Sequence, residues 1–387
     1  MLVFRQLSFK PSWATRTYPR STLNAMRLAT FNVENLFRRP VAMSLPTWKD
    51  GREILGDFSR LNDLIARDTY DRATTERLKK LLDKYRFGDR RKRDRPIKLT
   101  EVRGHLFKVP KGKKTVEIVV AGRGRWVGWF ELEKADFSPE VVSNTGRVIR
   151  AVRPDLLCTV EVEDRIALRR FNQMILRAEF GLDFPHTMLV DGNDPRGIDI
   201  GLLSKFLICS VRSYADVGGD TPVFSRDCPE YHIALPGGAV LVVLGNHLKS
   251  KGYGSLKASA ELRRRQAEEV KRIYTSVRKN FEYVAVCGDL NDSPDSRALA
   301  PLLTETDLRD VMTHDRYTGR PGTFGSGRSP MQKLDYILLS PALWQKVTAV
   351  DVERRGIYAP RSIASFPEVT AESAASDHAA VWVDLDL

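Results

Sequence analysis

At 387 residues, 42% of them hydrophobic, the chain is long enough to bury one large core or two of ordinary size. No stretch reaches the roughly 20 consecutive apolar residues of a membrane-crossing helix, and residues 1–25 lack the apolar centre of a secretory signal, so a soluble, cytoplasmic protein is expected. The formal net charge of +13 is concentrated in two places. Residues 1–26 hold Arg5, Lys10, Arg16 and Arg20 with no acidic residue, and residues 86–114 hold twelve Lys/Arg against Asp89, Asp94 and Glu101. The first is read as a disordered basic tail over 1–25, a bias shared by organelle transit peptides and by translated sequence ahead of a start at Met26. The second is either a stripe for a polyanion or a solvated charged loop.

The first apolar run, 27–32, reads as a strand that ends in Asn32-Val33-Glu34-Asn35, with Asn32 and Glu34 on one face. Segment 40–138 then breaks the rhythm. It opens irregularly, continues through a polar helix around 71–85 and the basic run, and ends in two extended stretches, 115–121 and 125–133. Gly122-Arg123-Gly124 between them reads as a hairpin turn. Trp126, Trp129 and Phe130 either stack on bases or form the hairpin's own core. The segment is taken as an insertion within a single domain spanning 26–387, because strands of one sheet precede and follow it.

A helix over 140–152 leads past Pro154 into a strand at 155–160, and a second helix over 165–180 stops at Gly181. Strands follow at 199–207, 239–246, 283–288, 334–339 and 379–385, with a long amphipathic helix over 257–278 among them. Many of these runs are continuously apolar rather than alternating, which predicts strands covered on both faces in a layered α/β domain. The four cysteines show no metal-ligand spacing. Cys158, Cys209 and Cys287, inside apolar runs, read as small buried hydrophobes in a reducing compartment.

Polar residues of a particular kind stand at the ends of these strands: Glu161, Asn246-His247, Asp289-Leu290-Asn291-Asp292, Asp335 and Ser376-Asp377-His378. A hard cation such as Mg²⁺ takes oxygen ligands from one or two carboxylates and completes its shell with water and phosphate. Glu161, at the end of an apolar run and just before a helix, stands where open α/β sheets bind ligands. Lys249 and Ser250, after His247, are able to touch phosphate. Asp289 and Asn291 project to one side, so one can handle a proton or metal while the other grips a phosphate oxygen. A carboxylate that fixes a histidine's tautomer makes that histidine a competent base for water, and Asp335 and His378 can be paired so only by folding. Asp199, acidic in an apolar strand entry, either orients an imidazole or ends a turn.

Taken in order, these separated motifs resemble the endonuclease/exonuclease/phosphatase superfamily, from Met26 to Leu387 apart from the insertion. The resemblance implies a four-layered α/β sandwich of the DNase I kind, two central mixed sheets covered by helices, with an insertion after the first strand. It makes Asn32 the first-strand asparagine, Glu161 the metal-binding glutamate, Asn246-His247 the Asn/Thr-His motif, Asp289 and Asn291 the Gly-Asp-x-Asn pair, Asp335 the aspartate of the Leu-Asp-Tyr strand, and Asp377-His378 the closing Ser-Asp-His. Asp199 matches a carboxylate that orients His247. In the implied mechanism His378 activates water while Asp335 holds it in place. Glu161 and Asp377, with Asn32 or Glu34 in support, hold Mg²⁺, with Mn²⁺ as a substitute. Asn291 and His247 bind non-bridging oxygens, Asn246, Lys249 and Thr323 add substrate contacts, and Asp289 or His247 assists the leaving oxygen.

The function expected is a metal-dependent phosphodiesterase, a nuclease of low sequence specificity acting on DNA before RNA, with no protein partner. A phosphoinositide-, sphingomyelin- or small-molecule phosphoesterase is the first alternative and would need a specificity pocket or an apolar membrane-contacting loop. A non-catalytic nucleic-acid-binding protein on the same fold is the second, and it would not need this set of carboxylates and imidazoles.

Overall fold

The computed structural model describes residues 25–36, 40–43, 48–92, 94–135, 138–251, 255–325 and 331–387; the expected basic tail, apart from Ala25, lies outside the described residues. In chain order the elements are β1 (Ala25–Leu36), α1 (Trp48–Ile65), α2 (Arg72–Lys84), β2 (Ile97–Arg103), β3 (Phe107–Lys108), β4 (Glu117–Ile118), β5 (Val127–Leu132), α3 (Pro139–Val152), β6 (Leu156–Val162), α4 (Arg165–Phe171), β7 (His186–Leu189), β8 (Asp199–Ser204), β9 (Ile208–Arg212), β10 (Glu230–Ala234), β11 (Val240–His247), α5 (Leu256–Val277), β12 (Tyr283–Asp289), α6 (Ala300–Leu303), β13 (Arg309–Asp310), β14 (Asp335–Leu339), α7 (Pro341–Trp344), β15 (Val347–Glu353) and β16 (Ala380–Asp386).

Twelve of the strands form two six-stranded sheets, ordered β15-β16-β1-β6-β8-β7 and β13-β14-β12-β11-β10-β9. Both sheets are mixed: β1 with β6 and β11 with β12 run parallel, and β16 with β1 and β12 with β14 antiparallel. Because successive side chains leave a strand on opposite faces, each central strand has two faces to bury. Leu28, Cys158, Leu202, Val381 and Val383 of the first sheet meet Val243, Ala285, Cys287 and Ile337 of the second. Facing outward from the first sheet, Phe31, Leu157, Leu203 and Trp382 pack on Val148 and Ile149 of α3 and on Leu168 and Phe171 of α4. Val242, Leu244, Val284, Val286 and Leu338 of the second sheet pack on Ala267, Val270 and Ile273 of α5. Helix, sheet, sheet and helix make the four layers expected, and burial on both faces is why the strands read as continuous apolar runs.

Between β1 and α3 the chain builds a lobe with its own core, including Leu55, Phe58, Leu61, Leu78, Leu82, Ile97, Trp126 and Phe130. Its first part, read from sequence as irregular, is the 18-residue helix α1. The expected hairpin does not form: β5 pairs with β2, and β4 with β3. Gly122 instead lies against the connection between α1 and α2, where a Cβ would meet the Asp68 carbonyl oxygen at 2.0 Å. The Tyr70 N–H donates to the Ala121 carbonyl there at 2.8 Å. Trp126 and Phe130 are core residues of the lobe, while Trp129 is 41% exposed and its indole N–H is taken by Glu131.

Three smaller readings also change. The run at 199–207 is β8 followed by a turn into β9, which leaves Cys209 exposed on an edge strand rather than buried; Cys158, Cys228 and Cys287 are buried, and all four are free thiols. The helix at 165–180 is α-helical only to Phe171 and π-helical over Asn172–Arg177. There the buried Asn172 amide clamps Phe184, donating to its carbonyl and accepting from its N–H. Among the described residues no helix is long and apolar enough to cross a membrane.

Candidate active site

The inner faces of the strands are apolar until their last residue at one end of the sandwich, where they turn polar. On β11 the row Leu241, Val243 ends in His247; on β12 the row Ala285, Cys287 ends in Asp289; on β14 the row Leu339, Ile337 ends in Asp335. Strand register sets these three side by side, His247 opposite Asp289 and Asp289 opposite Asp335. Gly288 permits the close approach of β12 to β11: a Cβ there would sit 1.9 Å from the Asn246 carbonyl oxygen, and its φ of 134° suits only glycine. From the facing sheet, the Asn32 Nδ2 of β1 donates to Asp289 Oδ2 at 3.2 Å.

Two acidic residues arrive through irregularities of the first sheet. Val160 and Val162 of β6 pair with Ile200 and Asp199 of β8, leaving Glu161 as the extra residue of a bulge, with φ of 65°. Across the β1–β6 pair the register also slips between Asn32 and Leu36, and Glu34 within that slip has φ of 51°. A left-handed backbone costs an ordinary L-residue roughly 1–2 kcal/mol, so both conformations are maintained against local preference. Bulges of this kind re-aim a side chain. Burying a single Leu, Val or Phe contributes about 1.5–3 kcal/mol, so the three core layers carry this strain readily. Asn291, the third such residue in the site, has φ of 55°.

The side chains form a continuous string. His378 Nδ1 lies 2.9 Å from Asp335 Oδ2, and its Nε2 lies 3.8 Å from Asp289 Oδ2 and 3.7 Å from Asp377 Oδ1. His247 Nε2 lies 3.7 Å from both Asp289 Oδ2 and Glu161 Oε1. Asn291 donates from Nδ2 to Asp289 Oδ2 at 3.1 Å, and its backbone N–H to Asp289 Oδ1 at 2.8 Å. Glu34 Oε2 accepts the Asp377 N–H at 3.2 Å. Ser376 ties the closing motif to β1, donating to the Asn32 carbonyl at 2.8 Å and accepting the His378 N–H at 3.0 Å.

This packing perturbs the titrating groups. Burial opposes the charged form of His378, but Asp335, Asp289 and Asp377 prevail and hold its pKa well above that of free imidazole. Asp289 is pushed up to about 7, by burial first and then by Asp335 and Glu161 against the pull of His378. His247 goes the other way: burial, together with Arg226, Arg196, His378 and Lys249, keeps it well below its usual value and therefore neutral. One ligand atom from each of Asp289, Asp335 and His378 lies within 4.8 Å of the other two. Two carboxylates and an imidazole within this span could hold a metal ion, although Asp335 and His378 also engage each other.

Three expected contacts are not made. Thr323 is fully buried, and its Oγ1 accepts the N–H groups of Leu334 (3.0 Å) and Asp335 (3.1 Å), so it holds the start of β14 rather than meeting a phosphate. Asn246 alternates away from His247 and lies on the outer-face row with Val242 and Leu244, donating to the Leu244 carbonyl at 3.1 Å. Asp199 does not orient His247: its Oδ1 accepts the Gly192 N–H at 2.9 Å, and His247 Nδ1 has no hydrogen-bond partner among the described residues. Asp199 shares its row with the outward-facing Leu203, whereas Ile200 and Leu202 face the second sheet.

A cationic group adjoins the string. Arg196 makes a bidentate pair with Asp194 (2.9 and 2.6 Å), and the buried Arg226 stands 2.9 Å from the same carboxylate. Asp194 is buried, which disfavours its charge, yet the two arginines draw it down to about 2. Lys249 is lowered to about 8 by burial and by Arg226 and Arg196. Neither Arg226 nor Asp194 was singled out in the sequence, and no local signal marks their meeting.

A sequence profile of the Endonuclease/Exonuclease/phosphatase family matches residues 130–378, and the chain belongs to that family, whose members are metal-dependent phosphoesterases. No curated protein sequence matches the chain. Among solved structures, a Bacteroides thetaiotaomicron mannosyl-6-phosphatase is similar at 17% identity and a TM-score of 0.48, covering 64% of this chain and 90% of that one. Sphingomyelinase C from Streptomyces griseocarneus is similar at 18% identity and a TM-score of 0.44, covering 63% and 92%. The human nocturnin catalytic domain is similar at 16% identity and a TM-score of 0.46, covering 63% and 85%. Similarity at this level does not select a substrate.

Proposed function

We propose that the chain is a divalent-metal-dependent phosphodiesterase, a nuclease of low sequence specificity with DNA as its first substrate and RNA as its second. The observation that carries this reading is the unbroken string Asp335, His378, Asp289, His247 and Glu161, whose consecutive side chains approach within 3.8 Å at one end of the sandwich. Asp335 holds His378 Nδ1, which leaves Nε2 to accept the proton of an attacking water. Glu161 and Asp377, supported by Asn32 or Glu34, are the residues that would hold Mg²⁺ or Mn²⁺. A divalent cation there supplies Lewis-acid stabilisation of charge on the phosphoryl oxygens. His247 presents an N–H donor to a non-bridging oxygen, and Asn291 joins it when substrate takes over an amide N–H now given to Asp289 or to the Leu248 carbonyl; Lys249 adds charge, and Asp289 or His247 assists the leaving oxygen.

Nucleic acid is favoured by the basic lobe rooted beside Glu161, where Lys134 pairs with Glu163. Part of its charge is spent internally: Arg86, Lys92, Lys98, Lys108 and Lys114 pair with the lobe's own carboxylates. Arg90, Arg91, Arg95, Arg103, Lys111 and Lys113 make no ion pair with the described residues; Arg95 is held by the Arg86 and Asp89 carbonyls, and the other five are the cations left for phosphates.

The test is a gel assay on supercoiled plasmid, linear duplex, single-stranded DNA and RNA with Mg²⁺, Mn²⁺ or EDTA, alongside His378→Ala. Metal-dependent cleavage lost in the variant is the expected result. Intact polymers together with phosphate release from a sugar phosphate, or headgroup release from sphingomyelin, would overturn the nuclease reading.

A further inference from the structure

A short stretch of backbone ties Asp335 to His378 from behind. Residues 323–325 run between the lead-in to β14 and the lead-in to β16. On one side the Thr323 and Phe324 N–H groups donate to the Gln332 carbonyl at 2.7 and 2.8 Å, and the Gln332 N–H donates back to the Phe324 carbonyl at 2.8 Å. On the other side the Thr323 carbonyl accepts the Ala379 N–H at 2.7 Å, and the Gly325 N–H donates to the Asp377 carbonyl at 2.9 Å. The stretch is therefore bonded to the approach of one strand from each sheet. Its side chains reach the pair as well: Thr323 Oγ1 accepts the Asp335 N–H at 3.1 Å, and the Phe324 ring lies 4.8 Å from the His378 ring, centre to centre.

Arg354, just after β15, grips the start of this stretch. Its Nε and Nη2 donate to the Gly322 carbonyl at 2.9 and 2.7 Å. Nη2 also reaches the Arg320 carbonyl and, at 3.0 Å, the Tyr317 hydroxyl, while Nη1 donates to the Val352 carbonyl at 3.3 Å. No carboxylate pairs with Arg354 among the described residues: Glu353 is taken by Arg355, Asp310 by Lys333, and Asp351 accepts the Val352 N–H. The guanidinium is thus engaged by backbone oxygens and one hydroxyl, and its rigid plane of donors sets the direction of the Gly322 carbonyl. The peptide between Gly322 and Thr323 is then held at both ends, its carbonyl by Arg354 and its N–H by Gln332. Gly322 cannot supply that order itself, because a Cβ there would sit 2.2 Å from Met331 Cβ and glycine has the freest backbone of any residue. We infer that Arg354 is a positioning residue for the hydrolytic reaction: through Gly322 it fixes Thr323 and Phe324, which set Asp335 and His378 at bonding distance. The inference rests on the reading of His378 as the base held by Asp335. It makes a residue that touches neither member of the pair govern turnover.

Two measurements separate this inference from the reading beneath it. In the first, Arg354→Met and Arg354→Lys are assayed with Mn²⁺ on bis(p-nitrophenyl) phosphate, a small diester whose cleavage needs no contact with a polymer. In Arg354→Met kcat should fall roughly 10–100-fold with KM near its wild-type value, the loss that follows when aligned groups shift by about an ångström. Arg354→Lys keeps the charge but not the plane of donors, so the defect should persist in it. The second measurement needs no turnover. The proton on His378 Nδ1, shifted downfield by its hydrogen bond to Asp335 and assigned by its loss in His378→Ala, should give a sharp NMR line in the wild type. In Arg354→Met, well below the Tm of both proteins, that line should be broadened or lost. A variant with a lower Tm but an unchanged line and unchanged kcat per folded molecule would show a structural role only and overturn the inference, as would a fall in kcat with the line intact. A line lost in Arg354→Met while the wild type cleaves no diester supports the positioning and removes the hydrolytic reading alone. Where Arg354→Met does not fold, Arg354→Lys carries both measurements.

Discussion

His378 Nδ1 lies 2.9 Å from Asp335 Oδ2, although the two residues are 43 apart in sequence and Asp335 opens a strand of one sheet while His378 leads into a strand of the other. Thr323 supports the carboxylate from behind by accepting the Asp335 N–H, and Ser376 supports the imidazole by accepting the His378 N–H. Each partner of the pair is thus held through its backbone as well as through the other. Asp335→Asn should lower kcat by roughly 10²–10⁴-fold with little change in Tm, because it removes both the tautomer control and the charge that supports the imidazolium. With Asp335 no longer raising the His378 pKa, the ascending limb of the pH–rate profile should move to lower pH. An unshifted limb would mean that another group is the base.

Removal of metal should abolish turnover, and its return should stabilise the fold. Mg²⁺ added to protein stripped with EDTA should raise Tm in the wild type, since a ligand bound only to the native state stabilises it by mass action. Glu161→Gln should blunt that rise. An equal rise in both proteins would place the ion away from Glu161.

Thr323→Val tests whether this residue positions Asp335 or touches substrate. Losing the acceptor of two buried N–H groups should cost about 1–3 kcal/mol in denaturant unfolding. The kinetic defect should fall on kcat, with KM near its wild-type value. A defect confined to KM would restore the role of a substrate contact.

Asp199 carries a pH signature of its own. Burial first, then Asp191 and Asp194, push its carboxyl up to about 7 against the pull of the Gly192 N–H. The unfolded chain ionises near the usual 3.8, so between about pH 4 and 7 the native state holds the extra proton and stability falls as pH rises. Asp199→Asn should match the wild type at pH 4 and exceed its Tm at pH 8 by roughly 2–4 °C. A variant less stable than the wild type at pH 8 would show that the ionised form is favoured.

Arg27 and Asp384 face each other across β1 and β16, buried and paired at 2.6 Å, with the guanidinium also over the Trp382 ring. Asp384→Ala leaves that charge uncompensated and should cost about 3–5 kcal/mol. Turnover per folded molecule should be unaffected, since the pair lies on the outer face of the sheet. Denaturant unfolding beside active-site titration reads both quantities.

Much of the architecture was legible because burial on both faces writes itself locally. Seven apolar runs became β1, β6, β8, β11, β12, β14 and β16, and α3 and α5 lie within a residue or two of their expected bounds. The edge strands β7, β9, β13 and β15 and the interior strand β10 were not read; the four edge strands are short or only half covered, and β10 is a five-residue strand interrupted by Glu230 and His232. The helix α1 was missed for a related reason: its core partners, among them Trp126 and Phe130, lie more than sixty residues away.

The amino-acid sequence alone determined which residue types stand at the strand ends, because Asn32, Glu161, His247, Asp289, Asp335 and His378 each close or open an apolar run that is visible locally. Only the folded chain decided which of them touch. Strand register places His247, Asp289 and Asp335 in one row, bulge geometry re-aims Glu161, and side-chain alternation turns Asn246 and Asp199 away. The gathering of Arg196, Asp194 and Arg226 beside Asn291 belongs to the same class of fact. Periodicity along a chain reports what each residue buries, whereas pairing between strands and loops depends on contacts as far apart as Asn32 and Asp289, 257 residues distant, which only the closing of the two sheets brings within a hydrogen bond.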